Sequence, residues 1–147
     1  MKTCLILAAA LAMVGVFSPV LAAGQLPLIT GIQAPVGMVY DAQGNLYVAE
    51  WGAGRVSRFD ARGTRTVVTD SVRNPSGLAV DDKGRLFVAS YGDGTVHRLA
   101  PDVTPRSVAS RFSSPTGLLW ARDHTLPVAN PPAGAGIRVR PHGREDG

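Results

Sequence analysis

Three tripeptides, Pro35-Val36-Gly37, Pro75-Ser76-Gly77 and Pro115-Thr116-Gly117, stand forty residues apart. The register persists beyond them. Asp41 matches Asp81, Gly44 matches Gly84, and Leu46-Tyr47-Val48-Ala49 matches Leu86-Phe87-Val88-Ala89. Gly52, Gly54, Val56 and Arg58 match Gly92, Gly94, Val96 and Arg98. Of the 26 gapless pairs from Pro35/Pro75 to Asp60/Ala100, eleven are identical. A period of this length restricts the chain to a propeller, a solenoid or an array.

The content of each unit chooses among these. Met38-Val39-Tyr40, Leu46–Ala49, Val56–Phe59 and Thr64–Thr69 are short runs of β-type residues. Turn residues separate them: Asp41–Gly44, Gly52–Gly54 and Asp60–Gly63. No 3.6-residue period appears, which excludes helical solenoids. A four-stranded antiparallel meander repeated every forty residues is a β-propeller blade. The expected fold is therefore all-β, with about three propeller-type blades forming a partial or half propeller.

The ends frame this repeat. Lys2, the apolar run Leu5–Phe17, the breaker Ser18-Pro19 and the small residues Ala22-Ala23-Gly24 have the layout of a signal peptide over residues 1–23. Cleavage is expected after Ala22 or Ala23, giving a secreted or periplasmic protein. Gly15 and Pro19 interrupt the run, which is short for a membrane span. Cys4, the one cysteine, leaves with this segment, so a disulfide framework and a multi-Cys zinc site are excluded. The net charge of +4 is spread along the chain rather than gathered in a stripe. Neither a nucleic acid nor, after cleavage, a membrane is expected as a partner. Residues 24–140 then carry the blades, in units of about 35–74, 75–114 and 115–140, and residues 141–147 read as a disordered tail.

Leu26–Thr30 aligns with the fourth strand of a unit, and the last unit keeps only its first three strands. Three blades are fewer than the four to eight that usually surround an axis. Two explanations follow. Two chains pair into a six-bladed ring, each lending its first strand to the other, or the chain is a truncated member of its family. The third unit favours truncation: Pro127 stands where Tyr47 and Phe87 stand, Pro131-Pro132 replaces the aromatic-Gly pair, and His124 replaces the turn glycine.

Repetition also sorts the candidate functional residues. Residues shared between units read as scaffold; a specific function needs residues that break the symmetry. Glu50, Ser90 and Asn130 are three different polar residues at one repeat position, on the loop face that also carries Ser76, Trp51, Tyr91 and Asp93. These seven are the candidate ligand-binding residues, with Glu50 the best catalytic candidate. Trp51 and Tyr91 also suit an architectural role, each covering the edge of a neighbouring blade. His97, aligned with Ser57, reads as a solvated strand residue.

The string from Pro35 through Gly44-Asn45-Leu46-Tyr47-Val48-Ala49 to Gly54-Arg55-Val56-Ser57-Arg58-Phe59-Asp60 resembles an NHL repeat. It is also similar to blades of the gluconolactonase-like and streptogramin-lyase-like propellers. The resemblance covers Leu26 to about Val139. NHL-like propellers are commonly binding platforms, which implies a binding or scaffold module for an unknown protein, peptide, glycan or small-molecule ligand. The alternative it implies is a metal-dependent gluconolactonase-like hydrolase, or a streptogramin-lyase-like enzyme. The lactonases hold a divalent cation with a Glu, two Asn and an Asp. Ca2+ or Mg2+ would be the implied cofactor, a hard cation suited to oxygen donors. At the matching positions this chain has Ser76 or Thr116 in place of Asn, and Glu50, Ser90 or Asn130 in place of Asp. Glu50 and Asn130 are the remaining candidate metal ligands.

Overall fold

In the first two units the hairpin between the first and second strands is built on an aspartate, Asp41 or Asp81, where the third unit has Ala121. The Asp41 carboxylate accepts the backbone N–H groups of Gln43 at 3.0 Å and Asn45 at 2.8 Å. Asp81 does the same for Lys83 at 2.9 Å and Arg85 at 2.8 Å. Such Asx turns bring the chain back on itself, and the residue at the tight corner takes a positive φ. That residue is Gly44 at 81° and Gly84 at 76°. In the third unit it is His124, which bears a side chain at φ 56° and is held by Asp82, 3.0 Å from its Nδ1.

The computed structural model describes residues 29–131 and 135–141. Three antiparallel sheets follow one another in the chain. Blade 1 is β1 (Pro35–Tyr40), β2 (Leu46–Glu50), β3 (Arg55–Phe59) and β4 (Arg65–Thr69), paired in that order. Blade 2 repeats it with β5 (Pro75–Val80), β6 (Leu86–Ser90), β7 (Thr95–Leu99) and β8 (Pro105–Ala109). Blade 3 has three strands among the described residues: β9 (Gly117–Leu118), β10 (Leu126–Asn130) and β11 (Ala135–Val139). The all-β, partial-propeller expectation holds.

One detail differs from the sequence reading. Ile29 and Thr30 are not in a strand, and the rest of the expected strand, 26–28, lies outside the described residues, as do the signal segment and the tail from 142 on. Pro127 removes a ladder hydrogen bond, as its residue type predicts; the loss falls on the neighbouring strand and leaves β10 whole. Val39 pairs with Tyr47 and Ala79 with Phe87. At the third repeat, Leu119 N–H donates to the Pro127 carbonyl at 3.2 Å, but proline has no N–H to return. The β9–β10 ladder consequently stops at Leu118.

The core lies between blades rather than within them. Ala49 and Val56 of blade 1 meet Leu78, Leu86, Val88 and Leu99 of blade 2. Ala79, Phe87 and Val96 of blade 2 meet Leu126 and Val128 of blade 3. The connectors contribute one apolar side chain at each interface, Val72 to the first and Phe112 to the second. Ile32, at the equivalent position, packs with Ile29 on Leu46, Val48 and Phe59 of blade 1.

The repeated Pro-x-Gly sets the separation of the inner strands. A Cβ on Gly77 would stand 2.8 Å from both the Thr116 carbonyl oxygen and the Leu118 nitrogen. A Cβ on Gly37 would overlap the Ser76 carbonyl oxygen outright. Both neighbours are backbone, which cannot rotate away. Gly37→Ala should therefore destabilise the fold by about 1–3 kcal/mol, the usual cost of overpacking. A lowered urea midpoint with an unchanged slope would register this; an unchanged midpoint would mean that the inner strands do not pack this closely.

Candidate functional site

The loop preceding each blade and the loop between its second and third strands meet on one face. Trp51 N–H donates to the Ala34 carbonyl, and Tyr91 N–H to that of Asn74, both at 3.1 Å. All seven candidate residues lie at this end of the blades.

Glu50, Ser90 and Asn130 perform one mechanical task with three chemistries. Each ends the second strand of its blade and turns its side chain to the connector seventeen residues earlier. Glu50 Oε2 accepts the Gln33 backbone N–H at 3.0 Å. Ser90 Oγ donates to the Arg73 carbonyl at 2.7 Å. Asn130 Oδ1 accepts the N–H groups of Ser113 at 3.1 Å and Ser114 at 3.0 Å. All three side chains are buried.

The Glu50 carboxylate is the most heavily engaged. It accepts from Ser57 Oγ at 2.6 Å and from Arg55 at 3.2–3.3 Å, and it pairs with Arg65. Burial works to raise its pKa. Hydrogen bonds from Arg55, Ser57, the Gln33 N–H and Arg65 outweigh burial and bring it down to about 2. The connector itself is the functional element that the residues from Pro35 onward do not reveal. Its signal is the apolar series Ile32, Val72 and Phe112, which keeps the same period.

Ser76 is also buried. Its hydroxyl lies 2.6 Å from the Pro115 carbonyl oxygen and 3.2 Å from that of Ala89, so it ties blade 2 to blade 3. Asp93 Oδ2 lies 2.9 Å from Ser90 Oγ, a second acceptor for the hydroxyl's one proton, and Asp93 pairs with the exposed Arg73 at 3.1 Å. Trp51 and Tyr91 contact one another across blades 1 and 2, edge to face, with centroids 4.6 Å apart and planes at 63°. Tyr91 remains 39% exposed and Trp51 is half-buried. His97 is half-buried rather than solvated, 2.7 Å from Thr95 Oγ1 through Nε2, and burial lowers its pKa.

These donors do not fit a divalent cation. A metal at Glu50 would have to displace two guanidinium groups, a serine hydroxyl and a backbone N–H, and the Asn130 oxygen is already shared by two backbone donors. Among the described residues, no three His, Cys, Asp or Glu side chains converge into a metal-binding group. What the face does present is a pair of aromatic rings beside an exposed Arg73–Asp93 ion pair.

The blades have the fold of the gluconolactonase- and streptogramin-lyase-like propellers. A gluconolactonase from Xanthomonas campestris superposes with a TM-score of 0.68 at 24% identity, over 76% of this chain and 46% of that one. A chain of a nidogen–laminin complex gives 0.66 at 21% identity, over 74% and 44%. The inactive H270A virginiamycin B lyase of Staphylococcus aureus, solved with quinupristin, gives 0.64 at 18%, over 78% and 40%. The chain thus spans less than half the length of these structures. No protein-family model matches it, and no curated protein matches it.

The Glu50 cluster makes a pH prediction. A carboxylate whose pKa falls from 4.5 to about 2 on folding stabilises the native state above its unfolded pKa. That stability is lost as pH drops from about 5 through 2, and amounts to roughly 3 kcal/mol. Glu50→Gln leaves Arg55 and Arg65 without their counter-charge and should cost about 3 kcal/mol at pH 7. Melting curves of the variant should also flatten between pH 5 and 2. A wild-type slope retained in the variant would assign the acid sensitivity elsewhere.

Proposed function

We propose that the chain is an exported propeller module that binds a protein partner through the loop face of blades 1 and 2. The observation that carries this reading is the Trp51–Tyr91 pair, partly exposed beside the Arg73–Asp93 ion pair. Tyr, Trp and Arg are the residue types enriched at protein interfaces, where an aromatic body supplies contact area at small entropic cost. A neighbour in fold from a complex of two proteins supports the same reading. The gluconolactonase-like alternative requires free oxygen donors at positions where Glu50 and Asn130 are hydrogen-bonded inward. Export rests on the layout of residues 1–23.

Peptides selected from a displayed library against the wild-type chain should lose at least about tenfold in affinity for the Trp51→Ala/Tyr91→Ala variant, the loss expected for interface anchors. They should keep their affinity for Val103→Asp, an equally open site on a different loop. Selected peptides that ignore the double variant would remove the loop face from the interaction. Melting in about 1 mM calcium or magnesium gives an independent check: no shift is expected, since a bound cation would raise the midpoint by linkage. A raised midpoint would revive the metal-hydrolase alternative. Mass spectrometry of the exported chain should place its first residue at Ala23 or Gly24.

A further inference from the structure

Each blade has two faces, and the cross-strand registers assign residues to them. On one face of blade 2, Leu78 pairs with Val88 and Val80 with Leu86; this face is covered by blade 1. On the same face of blade 3, Leu118 pairs with Val128, and Leu118 and Trp120 pack into the core shared with blade 2. On the same face of blade 1, Met38 pairs with Val48 and Tyr40 with Leu46. Met38 is 62% and Tyr40 57% exposed, whereas their partners Val48 and Leu46 are covered by Ile29 and Ile32, so the open part of this flank is its inner strand.

The opposite face repeats the pattern in reverse. Val39 and Tyr47 of blade 1 pack on blade 2, and Ala79 and Phe87 of blade 2 on blade 3. Their equivalents on blade 3 are Leu119 and Pro127. Leu119 is 63% exposed, and Ala129, equivalent to the buried Ala49 and Ala89, is also exposed. Gly117 continues the glycine series, yet among the described residues a Cβ there would meet only the Ala129 side chain of its own blade, at 3.4 Å.

We infer that a second copy of this chain covers both open flanks, with Leu119 and Gly117 of each copy set against Met38 and its neighbours in the other. The occupant is specified by continuity with two interfaces that the chain has already built. Val39 meets the cluster holding Leu78, and Ala79 packs with Leu118; Leu119 against Met38 is the next step of that series. Each copy uses one flank of each kind, so two copies close about a two-fold axis with no flank left over. This inference does not depend on what the loop face binds.

The test is the mass in solution of the chain as cells process it, by light scattering and sedimentation equilibrium. At about 100 µM, above the micromolar end of the affinities expected for interfaces of this kind, the species should have twice the chain mass. Met38→Asp and Leu119→Asp should each return it to a single chain mass while far-UV circular dichroism keeps its β signature. Val103→Asp, also at an exposed apolar residue but on the β7–β8 turn, should leave the dimer intact. Gly117→Ala is the more selective variant. Among the described residues of one chain the added methyl meets only Ala129, whereas across an interface like the two internal ones it strikes backbone, so it should weaken the dimer at least tenfold and leave the fold in place. A wild-type chain of single mass, an open-ended polymer, or a dimer indifferent to both flank variants would overturn the inference.

Discussion

The structure depends on the close approach of inner strands that lack side chains where they touch. Gly37 lies against the backbone of Ser76, and Gly77 against the backbone from Thr116 to Leu118. With the strands that near, the apolar residues of adjoining blades interdigitate: Ala49 and Val56 with Leu86 and Val88, then Phe87 and Val96 with Leu126 and Val128. A single meander has no interior of its own, so burial of apolar area becomes available only when two are stacked. The loop face inherits its geometry from this stacking. Trp51 and Tyr91 touch because blades 1 and 2 are held in register by residues at the axis.

The fold was legible because its determinants are local and repeated. Asp and Gly at fixed offsets specify the hairpins, and alternating apolar residues specify strands with two buried faces. The roles of single residues were less legible, since symmetry-breaking in type need not be symmetry-breaking in task. Glu50, Ser90 and Asn130 differ as chemistry, yet each reaches the equivalent point of the connector that precedes its own blade. Proton donors and acceptors are interchangeable there because the backbone offers both an N–H and a carbonyl. Pro127 illustrates a second limit. Its residue type warns of a lost ladder bond, but only the register reveals that the loss falls on the β9 side and leaves β10 whole.

The loop face combines a rigid support with a small number of uncommitted groups. Most of its polar side chains are turned inward to hold the connectors, which removes them from recognition and stiffens what remains. Preorganisation of this kind lowers the entropic cost of binding. Glu50 and its partners Arg55, Ser57 and Arg65 hold the connector from inside, while Trp51 and Tyr91 stand partly exposed, so the surface residues can change without disturbing that cluster.

The connectors have a consequence for where this chain tolerates a cut. Surface loops are ordinarily the first places that proteases nick and that insertions occupy. Here the segments between blades are loops in conformation only: Val72 and Phe112 are buried in the core, and the backbone at 33, 73 and 113 is bonded to a buried side chain. Susceptibility is thereby transferred to the opposite end, where turns such as Asp60–Gly63 and Ala100–Thr104 carry exposed residues and close only a single hairpin. A break at those turns separates two strands that remain joined through their sheet. New chain ends or an inserted segment at the same points would leave the order of the blades unchanged.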